Sequence, residues 1–339
     1  MRFVFTEDQR LLQDAVRDLL SKECPPGEVR SLWDDPVGRS RARWSALAEM
    51  GVIGLLVDAD HGGLGMDEVD LVLLLEETGR VALPEPIVES AAVAPRLLAD
   101  AAPAEVADAW LPRIAAGEAF VAVGLERSGP YVADAHLADL LLLQHGDELH
   151  ALDPSAVTSV RQASVDGGRR IFSVSWTPGA ATRLSSDPAA LAAAADRGAL
   201  AASAQMVGIA DHMIEMTAAY AREREQFGKP IGSFQAVKHL MADALLKVDF
   251  ARPALYRAAW SVAQRSPERP RDVSMAKAFA SEAVNQAARA SLQVHGAIGY
   301  TWEHDLQLWM KKGWALAATW GDAAWHRERV ASWLLGPPA

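Results

Sequence analysis

The sequence contains one cysteine, Cys24, in 339 residues. A single thiol cannot form an internal disulfide or a multi-thiolate zinc site, so the sequence predicts neither and favours a reducing compartment. A run of 18 apolar residues is also absent, and the longest candidates, such as residues 140–143, have the length of a strand. The N-terminal segment turns polar after five residues, unlike a signal peptide. These absences predict a cytoplasmic protein without membrane spans or a metal site.

Basic residues are few relative to acidic ones, with 33 lysines and arginines against 44 aspartates and glutamates and a net charge of −11. Such a surface repels phosphate backbones and anionic lipids, which disfavours nucleic-acid binding and membrane-surface binding. Hydrophobic residues make up 50% of the chain and charged residues 23%, the balance of a globular protein. The length predicts two or three packed units rather than one core.

Hydrophobic periodicity divides the chain into three predicted domains and a mainly α fold with a small β domain. Residues 1–118 are predicted to form an N-terminal helical domain, residues 119–186 a shortened middle β domain, and residues 187–339 a C-terminal helical bundle. The strands of the middle domain are predicted at the short apolar runs 120–125, 140–144, 149–152 and 171–174.

The C-terminal domain has long helical stretches with short connections, which predict an antiparallel four-helix bundle. Asp187 precedes a proline and is a predicted N-cap, although the first long helix could also begin near Asp196. Further helices are predicted over 233–264, 272–295, 305–318 and 322–334.

Two segments of the C-terminal domain have distinctive motifs. Residues 222–243 read REREQFGKPIGSFQAVKHLMAD, and residues 293–300 read QVHGAIGY. Together with the Gly-Gly-Leu-Gly loop at 62–65, these segments resemble the acyl-CoA dehydrogenase family, although Ala297 stands where the family has a second glycine. The resemblance covers nearly the whole chain, in the order helices, β unit, helices, and is strongest from residue 204 to residue 300. Taken alone, the glycine loop at 62–65 is better explained as a plain turn than as a dinucleotide site.

The resemblance implies FAD as the cofactor and the α,β-oxidation of an acyl-CoA thioester as the reaction. In the family, FAD lies across a subunit interface, where one chain holds the flavin ring and its neighbour binds the adenine and pyrophosphate. The second set of contacts is well represented here, since an arginine fork suits a pyrophosphate and a glycine turn lets the backbone approach a ligand closely. The implied cofactor-binding residues are Arg224, Gln226, Phe227, Ile231, Gln293, Val294 and Gly296.

The family's ring contacts and catalytic glutamate have no clear counterpart. Residues 124–130 read GLERSGP in place of a Thr-Glu-Pro-x-x-Gly-Ser-Asp loop, and Trp176 is the nearest remnant of a Trp-Ile-Thr strand. The usual base position falls on Trp320, whose indole cannot accept a proton, and the alternative base position falls on Gly198. No catalytic residue is assigned; Asp322 is the remaining candidate, and its position before a helix predicts an N-cap.

Three hypotheses follow. In the first, the chain is the smaller subunit of a heteromeric enzyme, whose larger homologous partner supplies the ring contacts, the base and the acyl-CoA site. This pattern resembles the α2β2 acyl-CoA dehydrogenases of actinobacterial sterol side-chain degradation and implies a steroid side-chain CoA ester as substrate. In the second, the chain is a homo-oligomeric enzyme with Asp322 as a displaced base. In the third, it is a helical scaffold that has lost the cofactor.

Overall fold

The structure, a computed structural model, describes residues 4–336. The α-helices of this part are α1 (Glu7–Glu23), α2 (Pro26–Asp34), α3 (Arg41–Glu49), α4 (Glu68–Arg80), α5 (Ala94–Ala101), α6 (Ala104–Ala115), α7 (Pro188–Glu223), α8 (Gln235–Ala263), α9 (Arg269–His295), α10 (Leu306–Ala317) and α11 (Ala323–Leu335). The strands are β1 (Val121–Gly124), β2 (Val132–Ala133), β3 (Leu140–His145), β4 (Glu148–Leu152), β5 (Thr158–Gln162), β6 (Ile171–Ser175), β7 (Arg183–Ser185), β8 (Glu225–Gln226) and β9 (Lys229–Pro230). The mainly α fold with a small β unit is confirmed.

The β unit consists of two small sheets. One has the strand order β1-β3-β4-β7, with β1 parallel to β3, and the other has the order β2-β6-β5. The four predicted apolar runs correspond to β1, β3, β4 and β6. Strand β5 was not predicted because its residues are almost all exposed and its sequence, TSVRQ, has no apolar alternation.

The β unit is connected to the N-terminal helices through a π-helical turn at Val88–Val93, which leads into α5. The hydroxyl of Ser90 in this turn donates to the carbonyl of Val121 over 2.8 Å and accepts from the Val121 amide over 3.1 Å. Both groups are buried, so the pair of hydrogen bonds stabilises the start of β1 against the helical layer.

Helix α7 is continuous over 36 residues and begins directly after its N-cap Asp187, whose carboxylate accepts the Ala189 amide over 2.9 Å. The alternative start near Asp196 is therefore wrong. Asp196 is buried inside the helix and forms ion pairs with Arg269 and Arg329, which satisfy its charge without a helix end.

Helix α9 lies at the centre of the C-terminal helices and packs against α7, α8, α10 and α11. The N-terminal layer joins this bundle through α4, which packs on α7. Glycines allow the close approach, since a Cβ added to Gly208 would lie 1.9 Å from the carbonyl oxygen of Glu76. Within residues 4–336, none of the helices combines the length and apolar character that crossing a bilayer requires.

Glu76 gives the α4–α7–α8 junction a pH-dependent stability. Burial raises the pKa of Glu76 from 4.5 to about 7, and the positive charge of Arg252 offsets part of this rise. Because the unfolded chain loses the proton at lower pH, the contribution of Glu76 to stability is full below pH 4.5 and is lost as the pH rises through about 7.

Glu76→Gln removes this titrating carboxyl group. The free energy of unfolding of the variant, minus that of the wild type at the same pH, is therefore expected to be about 2–3 kcal/mol more favourable at pH 8 than at pH 5. Urea unfolding of the variant and the wild type at both pH values measures the difference. Glu105→Gln, at an exposed glutamate, is the control variant. Equal effects of Glu76→Gln at the two pH values would contradict this account.

Candidate functional site

The first family-like motif forms a β-hairpin that projects from the end of α7. Strands β8 and β9 pair antiparallel, and the two turn residues between them, Phe227 and Gly228, have positive φ angles of 55° and 77°. A phenylalanine rarely adopts this conformation, and the ring of Phe227 is 92% exposed. A strained turn that presents a large aromatic ring to solvent is typical of a binding surface.

Arg224 lies where α7 meets the hairpin. Its backbone amide bonds to the Tyr220 carbonyl over 2.8 Å, and its carbonyl accepts the Ile231 amide over 2.8 Å. The Arg224 side chain is exposed and, within residues 4–336, forms neither an ion pair nor a hydrogen bond. Gln226 is exposed as well, whereas Ile231 is half-buried. The hairpin therefore offers a free guanidinium beside an exposed aromatic ring.

The second motif forms the turn after α9. Gly296 has φ 65° and ψ −140°, a conformation that side chains disfavour, and a Cβ there would meet open space. Gln293 is exposed, two residues before the helix end. Val294 is 9% exposed, so its backbone rather than its side chain would be available to a ligand.

A stack of aromatic side chains holds the two motifs side by side. The ring of Tyr220, one turn before Arg224, stacks on His295 with centroids 4.4 Å apart and planes inclined by 21°. His304 packs edge-on against His295 at 4.7 Å. The stack therefore places the end of α7, which leads into Arg224, beside the end of α9, which leads into Gly296. Sequence reasoning missed Tyr220 and His304; the spacing of four residues between Tyr220 and Arg224 on one helix face was the available signal.

In the loop that corresponds to the family's ring-binding segment, Leu125 and Ser128 bond to each other. The Ser128 hydroxyl donates to the Leu125 carbonyl over 2.7 Å and accepts the Leu125 amide over 3.1 Å. Trp176, just after β6, is half-buried and packs on His150 at 4.9 Å rather than facing an open cleft. These groups therefore do not form a row of free donors for a flavin edge.

Both positions that the resemblance gives for the base are packed against each other. Trp320 is 2% exposed, with a positive φ of 56°. A Cβ added to Gly198 on α7 would lie 2.3 Å from the Trp320 indole, so the ring rests on the glycine. Neither residue has a carboxylate, and a side chain at Gly198 would force the indole to move.

Buried side chains fix the loop that contains Trp320. Lys277 on α9 donates to the carbonyls of Ala317 and Gly321 over 3.2 and 2.9 Å, and burial lowers its pKa to about 7. His326 donates from Nε2 to the Trp320 carbonyl over 2.9 Å, which leaves Nδ1 to accept from the Ser274 hydroxyl over 3.0 Å. Burial lowers the pKa of His326 to about 3, so the ring is neutral.

The space around Trp320 is small. On one side the indole lines a cavity of about 50 Å³, into which the carboxylates of Glu85 and Asp134 and the ammonium of Lys312 also face. Glu85 pairs with Arg43 over 2.8 Å, and the Lys312 ammonium donates to the Leu83 carbonyl over 2.6 Å. On the other side Trp320 lines a cavity of about 140 Å³. Ligand pockets are usually about 300–1,000 Å³, so neither cavity has room for a flavin ring with an acyl chain.

Asp322 is the N-cap of α11. Its carboxylate accepts the Trp325 amide over 2.8 Å, which confirms the cap that its position predicts. Asp322→Ala is expected to lower the free energy of unfolding by about 1 kcal/mol, while Asp322→Asn, which can also cap, should lower it by less. Thermal unfolding measures both changes. If Asp322→Asn abolished turnover of the purified enzyme with its stability intact, Asp322 would be a base and not merely a cap.

The two helical regions match two family models. Residues 6–118 match the model of the acyl-CoA dehydrogenase N-terminal domain, and residues 189–335 match that of the acyl-CoA dehydrogenase C-terminal domain. Both family-like motifs lie within the second match.

Relatives and solved structures agree with this match. The chain is 32% identical over 336 residues to the acyl-CoA dehydrogenase IpdE2 of Mycolicibacterium smegmatis, covering 98% of this chain and 96% of that protein. It superimposes with a TM-score of 0.91 and 25% identity on a chain of the ChsE4–ChsE5 complex from Mycobacterium tuberculosis, covering 100% of both. Butyryl-CoA dehydrogenase from Megasphaera elsdenii shares the fold, with a TM-score of 0.89 at 18% identity over 99% of this chain and 100% of that one. The chain therefore belongs to the acyl-CoA dehydrogenase family, whose cofactor is FAD.

Proposed function

We propose that this chain is the nucleotide-binding subunit of a cytoplasmic heteromeric acyl-CoA dehydrogenase. It binds the adenine and pyrophosphate of an FAD whose flavin ring, catalytic base and acyl-CoA substrate belong to a larger homologous partner. One contrast carries the proposal. The surface that joins Arg224 to Gly296 is open and has a free guanidinium, while the base position is filled by the buried Trp320.

The residues at the open surface fit the nucleotide end of FAD. The unpaired guanidinium of Arg224 can bond two pyrophosphate oxygens at once, and the exposed ring of Phe227 offers an apolar face beside it. Gly296 leaves room for a ligand at its backbone. Gln226 and Gln293 add exposed amide groups, the half-buried Ile231 adds part of an apolar side chain, and Val294 contributes through its backbone.

The flavin end does not fit this chain. Bound FAD supplies the hydride acceptor for the reaction, and a carboxylate must remove a proton beside it. The positions for that carboxylate are Trp320 and Gly198, and the two cavities that the indole lines have volumes of about 50 and 140 Å³. A partner with an intact ring site and glutamate would complete the enzyme.

The relatives support a heteromeric enzyme and indicate which substrate to test first. The solved ChsE4–ChsE5 structure is a complex of two differently named chains, and this chain covers the whole of one of them. The resemblance to the sterol side-chain α2β2 enzymes makes a steroid side-chain CoA ester the first substrate to assay. The proposed partner is a longer member of the same family.

Co-expression tests the proposal. The chain should be purified alone and together with the homologue that co-purifies from its native host, and each sample assayed for acyl-CoA oxidation with an artificial electron acceptor. We expect turnover from the pair and none from the lone chain. Full turnover by the lone chain would favour the homo-oligomeric enzyme, and a pair that neither turns over nor absorbs near 450 nm would favour the cofactor-free scaffold.

A further inference from the structure

A cavity away from the nucleotide surface lies among α1, α4, α7 and α10. Its volume is about 340 Å³, which is within the usual range for small-molecule pockets. His212, one of the residues that line it, precedes Tyr220 by eight residues on α7, or roughly 12 Å along the helix. The cavity is therefore separate from the surface proposed for the nucleotide.

Two stacked rings line this cavity. His212 on α7 lies over Trp309 on α10, with ring centroids 4.1 Å apart and planes inclined by 25°. The Trp309 indole N–H donates to the Arg80 carbonyl over 2.8 Å, which fixes the orientation of the indole. Leu20 and Val81 add apolar side chains to the lining. Aromatic rings beside aliphatic groups suit the ring system of an apolar ligand.

The acidic groups that line the cavity are already paired or uncharged. Both carboxylate oxygens of Glu77 accept hydrogen bonds from Arg17, over 2.7 and 2.9 Å. Its Oε1 also accepts from Gln13 Nε2 over 2.7 Å. The Cys24 thiol is buried, and burial raises its pKa to about 12, so it stays protonated. Glu77 therefore has little capacity left to attract a positively charged ligand.

Hydrogen-bond donors, in contrast, remain open at the cavity. Arg80 forms a hydrogen bond to Glu215 through Nη2. Its Nε lies 3.8 Å from Glu77 and its Nη1 3.9 Å from Asp211, too far for hydrogen bonds. Within residues 4–336, the ring nitrogens of His212 have no hydrogen-bond partner. Burial lowers the pKa of His212 to about 4, so the ring is neutral at pH 7 and has one N–H to donate.

We propose that this cavity binds a small carboxylate with a compact apolar ring system. The carboxylate accepts from the open donors of Arg80 and from the His212 N–H, and the ring system lies against the aromatic and aliphatic lining. Because the Cys24 thiol stays protonated, the binding is noncovalent. The site uses none of the residues of the nucleotide surface, so it stands whether or not this chain binds FAD.

A pair of probes that differ in charge tests the site on the wild-type chain. The first is 2-naphthoate, and the second is 2-naphthalenemethanol, which has the same rings without the carboxylate. Titration of each into the full-length protein, followed by ligand-observed NMR, measures the Kd. We expect 2-naphthoate to bind with a Kd of roughly 50 µM to 1 mM, and the alcohol to bind at least about fivefold more weakly. This comparison needs no variant, so it does not depend on the folding of a substituted chain.

Arg80→Met removes the open guanidinium and should weaken binding of 2-naphthoate at least about fivefold, with no change for the alcohol. Glu77 keeps its pairing with Arg17 in this variant, so the fold should persist, and circular dichroism checks it. Arg96→Met is the matched control, since the Arg96 side chain is 19% exposed, against 24% for Arg80, and does not line the cavity. It should leave the Kd of both probes unchanged.

Four results would overturn the proposal. Two are equal affinities for the acid and the alcohol, and no binding of 2-naphthoate at about 2 mM. The third is an unchanged Kd for 2-naphthoate in a folded Arg80→Met variant. The fourth is loss of 2-naphthoate binding in the co-purified complex, since the partner subunit would then fill the cavity. Arg224→Ala should leave 2-naphthoate binding unchanged, and its effect on FAD bears on the nucleotide surface alone.

Discussion

Replacing Arg224 with alanine is expected to weaken FAD binding by the partnered complex by about 1.5–3 kcal/mol, or roughly 10- to 150-fold in Kd. The Arg224 guanidinium is exposed and has no partner of its own in the described chain, so its hydrogen-bonding capacity is free for a pyrophosphate. Removing the guanidinium would leave the two negative charges of the FAD pyrophosphate without the side chain that donates two hydrogen bonds to them. Titration of the flavin-depleted complex with FAD, followed by flavin fluorescence, measures the change.

Two further variants separate a specific contact from a general loss of charge. Arg224→Lys keeps the charge but loses the planar fork, so its Kd should lie between those of the wild type and Arg224→Ala. Arg222→Ala removes another exposed arginine two residues away and should change the Kd by less than about threefold. Equal effects of Arg222→Ala and Arg224→Ala would mean that the surface attracts FAD by net charge, without the contact proposed for Arg224.

Trp320→Ala is expected to lower the free energy of unfolding by about 3–5 kcal/mol, the usual range for truncating a buried tryptophan. Trp320 is 2% exposed, rests on Gly198 and lines both neighbouring cavities, so its loss would join and enlarge them. The loop around it is held by Lys277 and His326 and cannot easily collapse into the space. Urea unfolding of the purified chain measures the loss.

The control for this effect is Trp302→Ala. Because Trp302 is 66% exposed, this substitution should lower the free energy of unfolding by less than about 1 kcal/mol. Trp320→Glu restores the family's carboxylate type but should still give no turnover in the lone chain, because the loop at 124–130 lacks the family's ring-binding sequence and its Ser128 hydroxyl is already bonded to Leu125. It should also be less stable than the wild type, since it buries a charge without a partner. Acyl-CoA oxidation by lone Trp320→Glu would show that a ring site exists here after all.

Most of the fold was predictable because its signals are local. The Asp187 cap, the apolar strands β1, β3, β4 and β6, and the long C-terminal helices each follow from periodicity or from a single capping residue. The exposed strand β5 has no such signal, and it forms because it pairs with β6. Asp196 resembled a helix start, but the arginines that pair with it are 73 and 133 residues away in the sequence.

The site was predictable in its residue types but not in its contacts. Counting from the second motif placed Trp320 at the base position, and an indole there already excludes proton abstraction. That Trp320 rests on Gly198, the other base position, is a contact between α7 and the loop after α10 that periodicity cannot supply. The Tyr220–His295 stack is likewise long-range: the spacing of Tyr220 and Arg224 places both on one helix face but does not identify His295 as the partner of Tyr220.

The division of the cofactor between two chains is tested most directly by counting flavins. The complex of this chain with its partner should be purified, its subunit ratio measured by mass spectrometry, and the FAD released and quantified by absorbance near 450 nm. We expect one FAD for each pair of unlike subunits and none retained by this chain alone. Two FAD molecules per pair, or one tightly bound to the isolated chain, would show that this polypeptide seats a flavin ring itself and would contradict the account.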